Sequence, residues 1–211
     1  MSFMTPTIVV ASNNKGKLAE IQAAADDAGL DYNFRAIADL LPGWESPIED
    51  GDTFEANAAI KAYAGYGALG LPTLADDSGL VVDALDGAPG VHASSFGGVE
   101  GDDARNNAKL LAELVDITAA TKRSARFLST LVLVGLDTLL PNAPSYLIAT
   151  GACEGTIAFE AQGDKGFGYD PLFLPGATPG RTMAQLDMQE KNVISHRGYA
   201  LENLMNQLRQ L

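Results

Sequence analysis

Residues 7–12, Thr-Ile-Val-Val-Ala-Ser, form a short, β-branched, apolar run with the pattern of a buried strand. A polar turn over 13–17 follows, and Leu18, Ile21, Ala25 and Ala28 then recur at helical spacing up to Gly29. Strand, turn and helix open an α/β unit. Asp52 with Glu55 has the spacing of a capping box and starts a helix reaching about Tyr66. Residues 71–75 and 80–85 read as two strands joined by an acidic turn, Asp76-Asp77-Ser78-Gly79. A helix is expected over 105–114, with Leu110, Leu111 and Leu114 on one side. Long strands are expected over 126–136 and 146–152, joined by a loop at 139–145, and a short one over 156–159. Residues 182–195 and 197–211 read as closing helices, the last with Leu201, Leu204, Met205 and Leu208 at i, i+3, i+4 and i+7. The sum is a mixed α/β protein with an elongated central sheet and no firm domain boundary.

Charge narrows the partners. The chain carries 27 acidic against 14 basic residues, a net −13. A nucleic acid polymer needs a basic face, so that partner is not expected. A small nucleotide stays open, because a few converging lysines and a divalent cation can screen its phosphates. No apolar run approaches the roughly 20 residues that span a bilayer, so no membrane partner is expected. The N-terminus lacks the basic segment of a signal peptide, and the single cysteine, Cys153, cannot form an internal disulfide. A cytoplasmic protein is the expectation.

Five segments carry candidate chemistry. Ser12-Asn13-Asn14-Lys15-Gly16-Lys17 sits where a strand feeds a helix, so free N–H groups and the positive end of the helix dipole meet two lysines. That is a polyphosphate cradle or an ordinary helix cap with solvated lysines; it is not a Walker A loop. In residues 49–61, Asn57 and Lys61 are four apart and share a helix face, with Glu49 ahead of the helix and free to reach a metal. Capping and solubilising charge is the plainer account of that run. Asp76 and Asp77 lie between apolar segments, where carboxylates are costly without compensation. One of them can ligate a hard cation or activate a water. Ser78 offers a hydroxyl to phosphate, and an exposed acidic hairpin is the alternative. In Gly166-Phe167-Gly168-Tyr169-Asp170, aromatics alternate with glycines, so Phe167 can stack on a base and Asp170 can accept from a base or sugar edge. Packing of those aromatics into the core is the competing account. Finally, His196 and Arg197 present donors to acceptor atoms on a base, with Lys191 in reach of phosphate, unless His196 is simply a cap.

Taken in order, these segments resemble the inosine triphosphate pyrophosphatase family, the Ham1-like proteins. The matching residues are Ser12-x-Asn14-x-x-Lys17, Thr53-Phe54-Glu55-x-Asn57-Ala58-x-x-Lys61-Ala62, Ala75-Asp76-Asp77-Ser78-Gly79-Leu80, Gly87-x-Pro89-Gly90-Val91, Gly166-Phe167-Gly168-Tyr169-Asp170-Pro171 and Lys191-x-x-x-Ser195-His196-Arg197-Gly198. The resemblance implies an α/β fold with a long mixed central β-sheet, helices on both sides, and two lobes flanking a nucleotide-binding cleft, all within a single domain over 1–211. It also implies a homodimer, a Mg²⁺ requirement, and hydrolysis of ITP, dITP and XTP to monophosphate and pyrophosphate, which cleanses the nucleotide pool. Carried over by position, Asp77 is the general base and a metal ligand, Glu49 a second metal position, and Lys61 a catalytic charge. Ser12, Asn13, Asn14, Lys15, Gly16, Lys17 and Ser78 are polyphosphate contacts. Phe167, Gly168, Tyr169, Asp170, Lys191, His196 and Arg197 are nucleotide contacts. One departure stands at His92-Ala93-Ser94-Ser95, where many members carry Tyr-Ser-Ala-Arg. A broader nucleotide pyrophosphatase, or a nucleotide-binding regulator without turnover, would use many of the same residues.

Overall fold

The computed structural model describes residues 5–12, 14–140 and 142–211. Strand β1 (Thr7–Val10) leads through helix α1 (Lys15–Asp27) to β2 (Asn33–Ala36) and a short α2 (Ile37–Leu40). Helix α3 (Phe54–Leu69) precedes β3 (Thr73–Val82), and α4 (Asp103–Glu113) precedes β4 (Ser124–Val134). Then come β5 (Tyr146–Ile157), β6 (Phe173–Pro175), α5 (Met188–Ile194) and α6 (His196–Leu208). The strands form one sheet in the order β2-β1-β3-β4-β5-β6, with helices on both sides. β1 runs parallel to β2 and β3, and β6 runs antiparallel to β5, so the sheet is mixed as expected.

Two compact units make up the chain: residues up to Asp77 with 130–150 and 200–211, and residues 78–129 with 151–199. Each has its own apolar interior. In the first, Ile8, Val10, Ile21, Leu74, Leu131 and Leu204 are buried together. A smaller group there, Ala58, Ala62 and Ala75 with Val132 and Val134, packs α3 on the strands. The approach is close: a Cβ on Gly65 would stand 2.8 Å from Thr73 Cγ2. In the second, Leu80, Leu110, Phe127, Leu172 and Phe173 form the interior.

Several expectations need correction. The acidic segment 76–79 is no turn; β3 runs unbroken through it. Buried Leu74 and Ala75 on one side and Leu80 and Val82 on the other keep the chain extended inside the protein. The strands expected at 146–152 and 156–159 are one strand, β5, whose side chains alternate between buried and exposed over 149–154. The helix expected over 182–195 is broken by two capping boxes. Thr182 with Gln185 starts a 3₁₀ turn (Met183–Gln185), and Asp187 with Glu190 starts α5. At α3 the cap is Thr53, whose hydroxyl accepts from Ala56 N–H, and the helix continues to Leu69 before Gly70 closes it in a left-handed conformation. Strands β2 and β6 and helix α2, three or four residues each, lie outside the sequence-based expectations.

Candidate active site

Helix α1 starts without an acidic residue in its first turn, while Lys17 places positive charge where the helix dipole is already positive. Such a start gains from an anion. Asn14 is the cap: its Oδ1 accepts from Gly16 N–H at 2.9 Å and Lys17 N–H at 3.2 Å, and Ser12 Oγ accepts from Asn14 N–H at 3.1 Å. Ser12 and Asn14 therefore shape the turn, and Lys17 brings positive charge to it. Asn13 and the Lys15 side chain lie outside the described residues.

Because β3 is continuous, successive side chains leave it on opposite faces, and the two aspartates meet different lysines. Asp76, buried, accepts from Lys17 Nζ at 2.8 Å. Asp77 Oδ1 accepts from Lys61 Nζ at 3.3 Å, and the same ammonium donates to Glu49 Oε2 at 2.6 Å. α3 sets this up by putting Asn57, Ala58, Lys61, Ala62 and Gly65 on its buried face. Asn57 Oδ1 in turn accepts from Gly51 N–H at 2.8 Å and ties down the segment that carries Glu49. Sequence spacing aligns Asn57 with Lys61, but the bond to Gly51 has no signal in the sequence.

Burial raises the Asp77 pKa above the ordinary aspartate value; the Lys61 charge pulls it back and the Glu49 charge pushes it up further. Burial works against the Lys61 ammonium, yet Asp77 and Glu49 outweigh it and hold the lysine pKa above its ordinary value. Asp77 Oδ2 is buried with no hydrogen-bond partner among the described residues. Ser78, half-buried, follows along β3.

The second unit gathers the remaining residues. Asp170 Oδ2 accepts from Phe167 N–H at 2.9 Å and pairs with Lys191 Nζ at 2.5 Å. Lys191 Nζ also lies 4.5 Å from the centre of the Phe167 ring, which remains 60% exposed. Tyr169 faces inward, its hydroxyl donating to Ala93 O at 2.8 Å, so its ring belongs to the core rather than to an open surface. Gly168 is held through its backbone, its N–H donating to Asp103 Oδ2 at 2.7 Å. His196 opens α6, buried and stacked on Phe127 with ring centroids 4.9 Å apart; Arg197 beside it is buried as well. At the unusual segment His92–Ser95, the carbonyls of Ala93 and Ser94 are occupied by Tyr169 and Asn106.

The Ham1 family profile matches residues 8–207. The chain belongs to the Ham1 family. It is 46% identical to the dITP/XTP pyrophosphatase of Haemophilus influenzae, over 97% of this chain and 100% of that one. With the dITP/XTP pyrophosphatase of Lactobacillus acidophilus it shares 44% identity over 97% and 98%. Among solved structures it resembles a HAM1 protein from Coxiella burnetii, at TM-score 0.86 and 42% identity over 98% of this chain and 100% of that one. It also resembles the nucleoside-triphosphatase / dITP/XTP pyrophosphatase of Mycobacterium abscessus, at TM-score 0.77 and 42% identity over 96% and 100%. Among the described residues no helix is long and apolar enough to cross a membrane.

Proposed function

We propose that this Ham1-family protein is an enzyme that hydrolyses ITP, dITP and XTP to the nucleoside monophosphate and pyrophosphate, cleansing the nucleotide pool. The observation that carries the reading is the meeting of buried Lys61 with both Glu49 and Asp77. Simple nucleotide binding has no need of a half-buried, water-activating carboxylate beside a lysine, so turnover is favoured over a purely regulatory role.

Asp77 is assigned as the general base. Its raised pKa brings its basicity toward the working pH, and Oδ2 is the oxygen left to receive a proton from water. Lys61 is assigned to charge on the phosphates, and Lys17, Ser12, Asn14, Gly16 and Ser78 to contacts with the polyphosphate. Phe167 stacks on the base, and His196 and Arg197 donate to the purine 6-oxo group, which the 6-amino group of adenine cannot replace. Each donor left unpaired costs about 1–3 kcal/mol, or roughly 5- to 150-fold. Asp170 and Lys191, assigned to the nucleotide as well, are bonded to one another beside Phe167. Asn13 and Lys15 belong to the same proposed phosphate loop.

The donor set fits Mg²⁺. Glu49 and Asp77 supply hard oxygens and converge on one ammonium, that of Lys61. Mg²⁺ characteristically uses one or two carboxylates and completes its shell with water and substrate phosphate. When bound, the ion supplies charge neutralisation at the phosphates. A homodimer and a cytoplasmic location complete the reading.

The test is a phosphate assay on ITP with and without added inorganic pyrophosphatase. Signal only with the coupling enzyme identifies pyrophosphate as the product; signal without it overturns the proposed cleavage site. A panel of ITP, XTP, GTP, ATP and dUTP separates this reading from a broader pyrophosphatase.

A further inference from the structure

Phe167 is an exposed aromatic between two glycines, a placement that by itself leaves it free to swing. Gly166 and Gly168 both adopt left-handed backbone, with φ +78° and +61°. A Cβ on Gly166 would stand 2.0 Å from Asp170 Oδ2, so that conformation and that contact exclude a side chain there. Something must offset the entropy of holding such a loop still.

Helix α4 does so. Asp102 caps it, accepting from Arg105 N–H at 3.0 Å, and the side chains of Asp103 and Asn107 follow one turn apart on one face. Asp103 Oδ2 accepts from Gly168 N–H at 2.7 Å, and Asn107 Nδ2 donates to Gly168 O at 2.8 Å. Both backbone polar groups of one glycine are thus taken by one helix, 61 residues away in sequence. Asp170 holds the preceding N–H, that of Phe167, and Lys191 stands over the ring. The clamp fixes the peptides on either side of Gly168, and through them the direction in which the Phe167 ring points.

We propose that Asp103 and Asn107 are positioning residues for nucleotide binding: they lock the Gly168 backbone so that Phe167 is pre-aligned as a stacking surface for the base. The inference rests on the reading of Phe167 as that surface. Neither residue touches substrate; both act through the loop. Pre-alignment lowers the cost of ordering on binding, so its loss appears in affinity rather than in the chemical step.

Two measurements test this. In the substrate-free protein, amide hydrogen exchange over residues 166–170 speeds up in Asp103→Ala and in Asn107→Ala, and returns toward the starting rate in Asp103→Asn, whose amide oxygen still accepts from Gly168. Unchanged exchange in both alanine variants overturns the clamp, whatever the protein hydrolyses. In steady state with ITP, each alanine variant raises KM about 3- to 10-fold, the loss of one partly exposed hydrogen bond, with kcat within about twofold. In a Phe167→Ala background the same substitutions leave KM almost unchanged, because the surface they align is gone. Equal losses with and without Phe167, or losses confined to kcat, overturn the inference. Absence of ITP turnover in the wild-type protein defeats the proposed function instead, and the exchange measurement still decides the clamp.

Discussion

Lys17 Nζ lies 2.8 Å from Asp76 Oδ1, joining the first turn of α1 to the middle of β3 across 59 residues of sequence. The carboxylate is buried and the lysine side chain a quarter exposed, so the ammonium is tethered at one end of its reach rather than sequestered. On the proposed function, Asp76 is assigned as a support for the phosphate loop and Asp77 as the reacting carboxylate.

If so, Asp76→Ala and Lys17→Met weaken the same interaction. Each raises KM for ITP by about tenfold, the effect of roughly 1.4 kcal/mol. The double variant loses little more than the worse single one, as coupled residues do. Full additivity in the four-variant cycle means that Asp76 does not act through Lys17.

Asp77→Asn abolishes turnover and leaves nucleotide binding measurable by calorimetry. It also has a thermal signature. The native pKa of Asp77 is raised, so its charged form opposes folding above that pKa and has no effect below the unfolded value, where both states are protonated. In metal-free protein at pH 7 the asparagine variant melts higher, by about 2–4 °C per kcal/mol relieved. The gain shrinks as pH falls through the native Asp77 pKa. A variant that melts lower than wild type at pH 7 contradicts the direction of the shift.

Asn57 fixes the Glu49 segment through Gly51. Supporting side chains around metal ligands typically matter 10- to 100-fold, so Asn57→Ala should raise the Mg²⁺ concentration for half-maximal activity about tenfold or more. A Mg²⁺ titration that superimposes on wild type rules that role out.

Arg123 is a buried cation in the second unit. Its guanidinium donates to the carbonyls of Leu114, Ile117, Ile157 and Ala158 and lies 4.6 Å from the centre of the Phe159 ring. A lysine cannot reproduce that planar fork. Arg123→Lys and Arg123→Ala should each destabilise by about 2–4 kcal/mol in denaturant unfolding, with KM for ITP unchanged in the folded protein. Less than about 0.5 kcal/mol would show that water replaces the guanidinium.

Local sequence determined what depends on neighbouring residues. The strand at Thr7, the helical face carrying Asn57 and Lys61, the glycines about Phe167 and the ordered segments from Ser12 to Gly198 are all visible along the chain, because side-chain spacing and turn chemistry act over a few residues. That was enough for the α/β class and the family. It did not reveal that β3 passes straight through the acidic segment, because the local preference of Asp-Asp-Ser-Gly for a turn is outweighed by apolar burial on both flanks and by lysines from α1 and α3. Nor did it divide the two aspartates between Lys17 and Lys61, turn Tyr169 inward, or bring Asp103 and Asn107 to Gly168. Those outcomes depend on which distant groups are buried together, and a buried charge or backbone amide takes its partner from wherever packing delivers one.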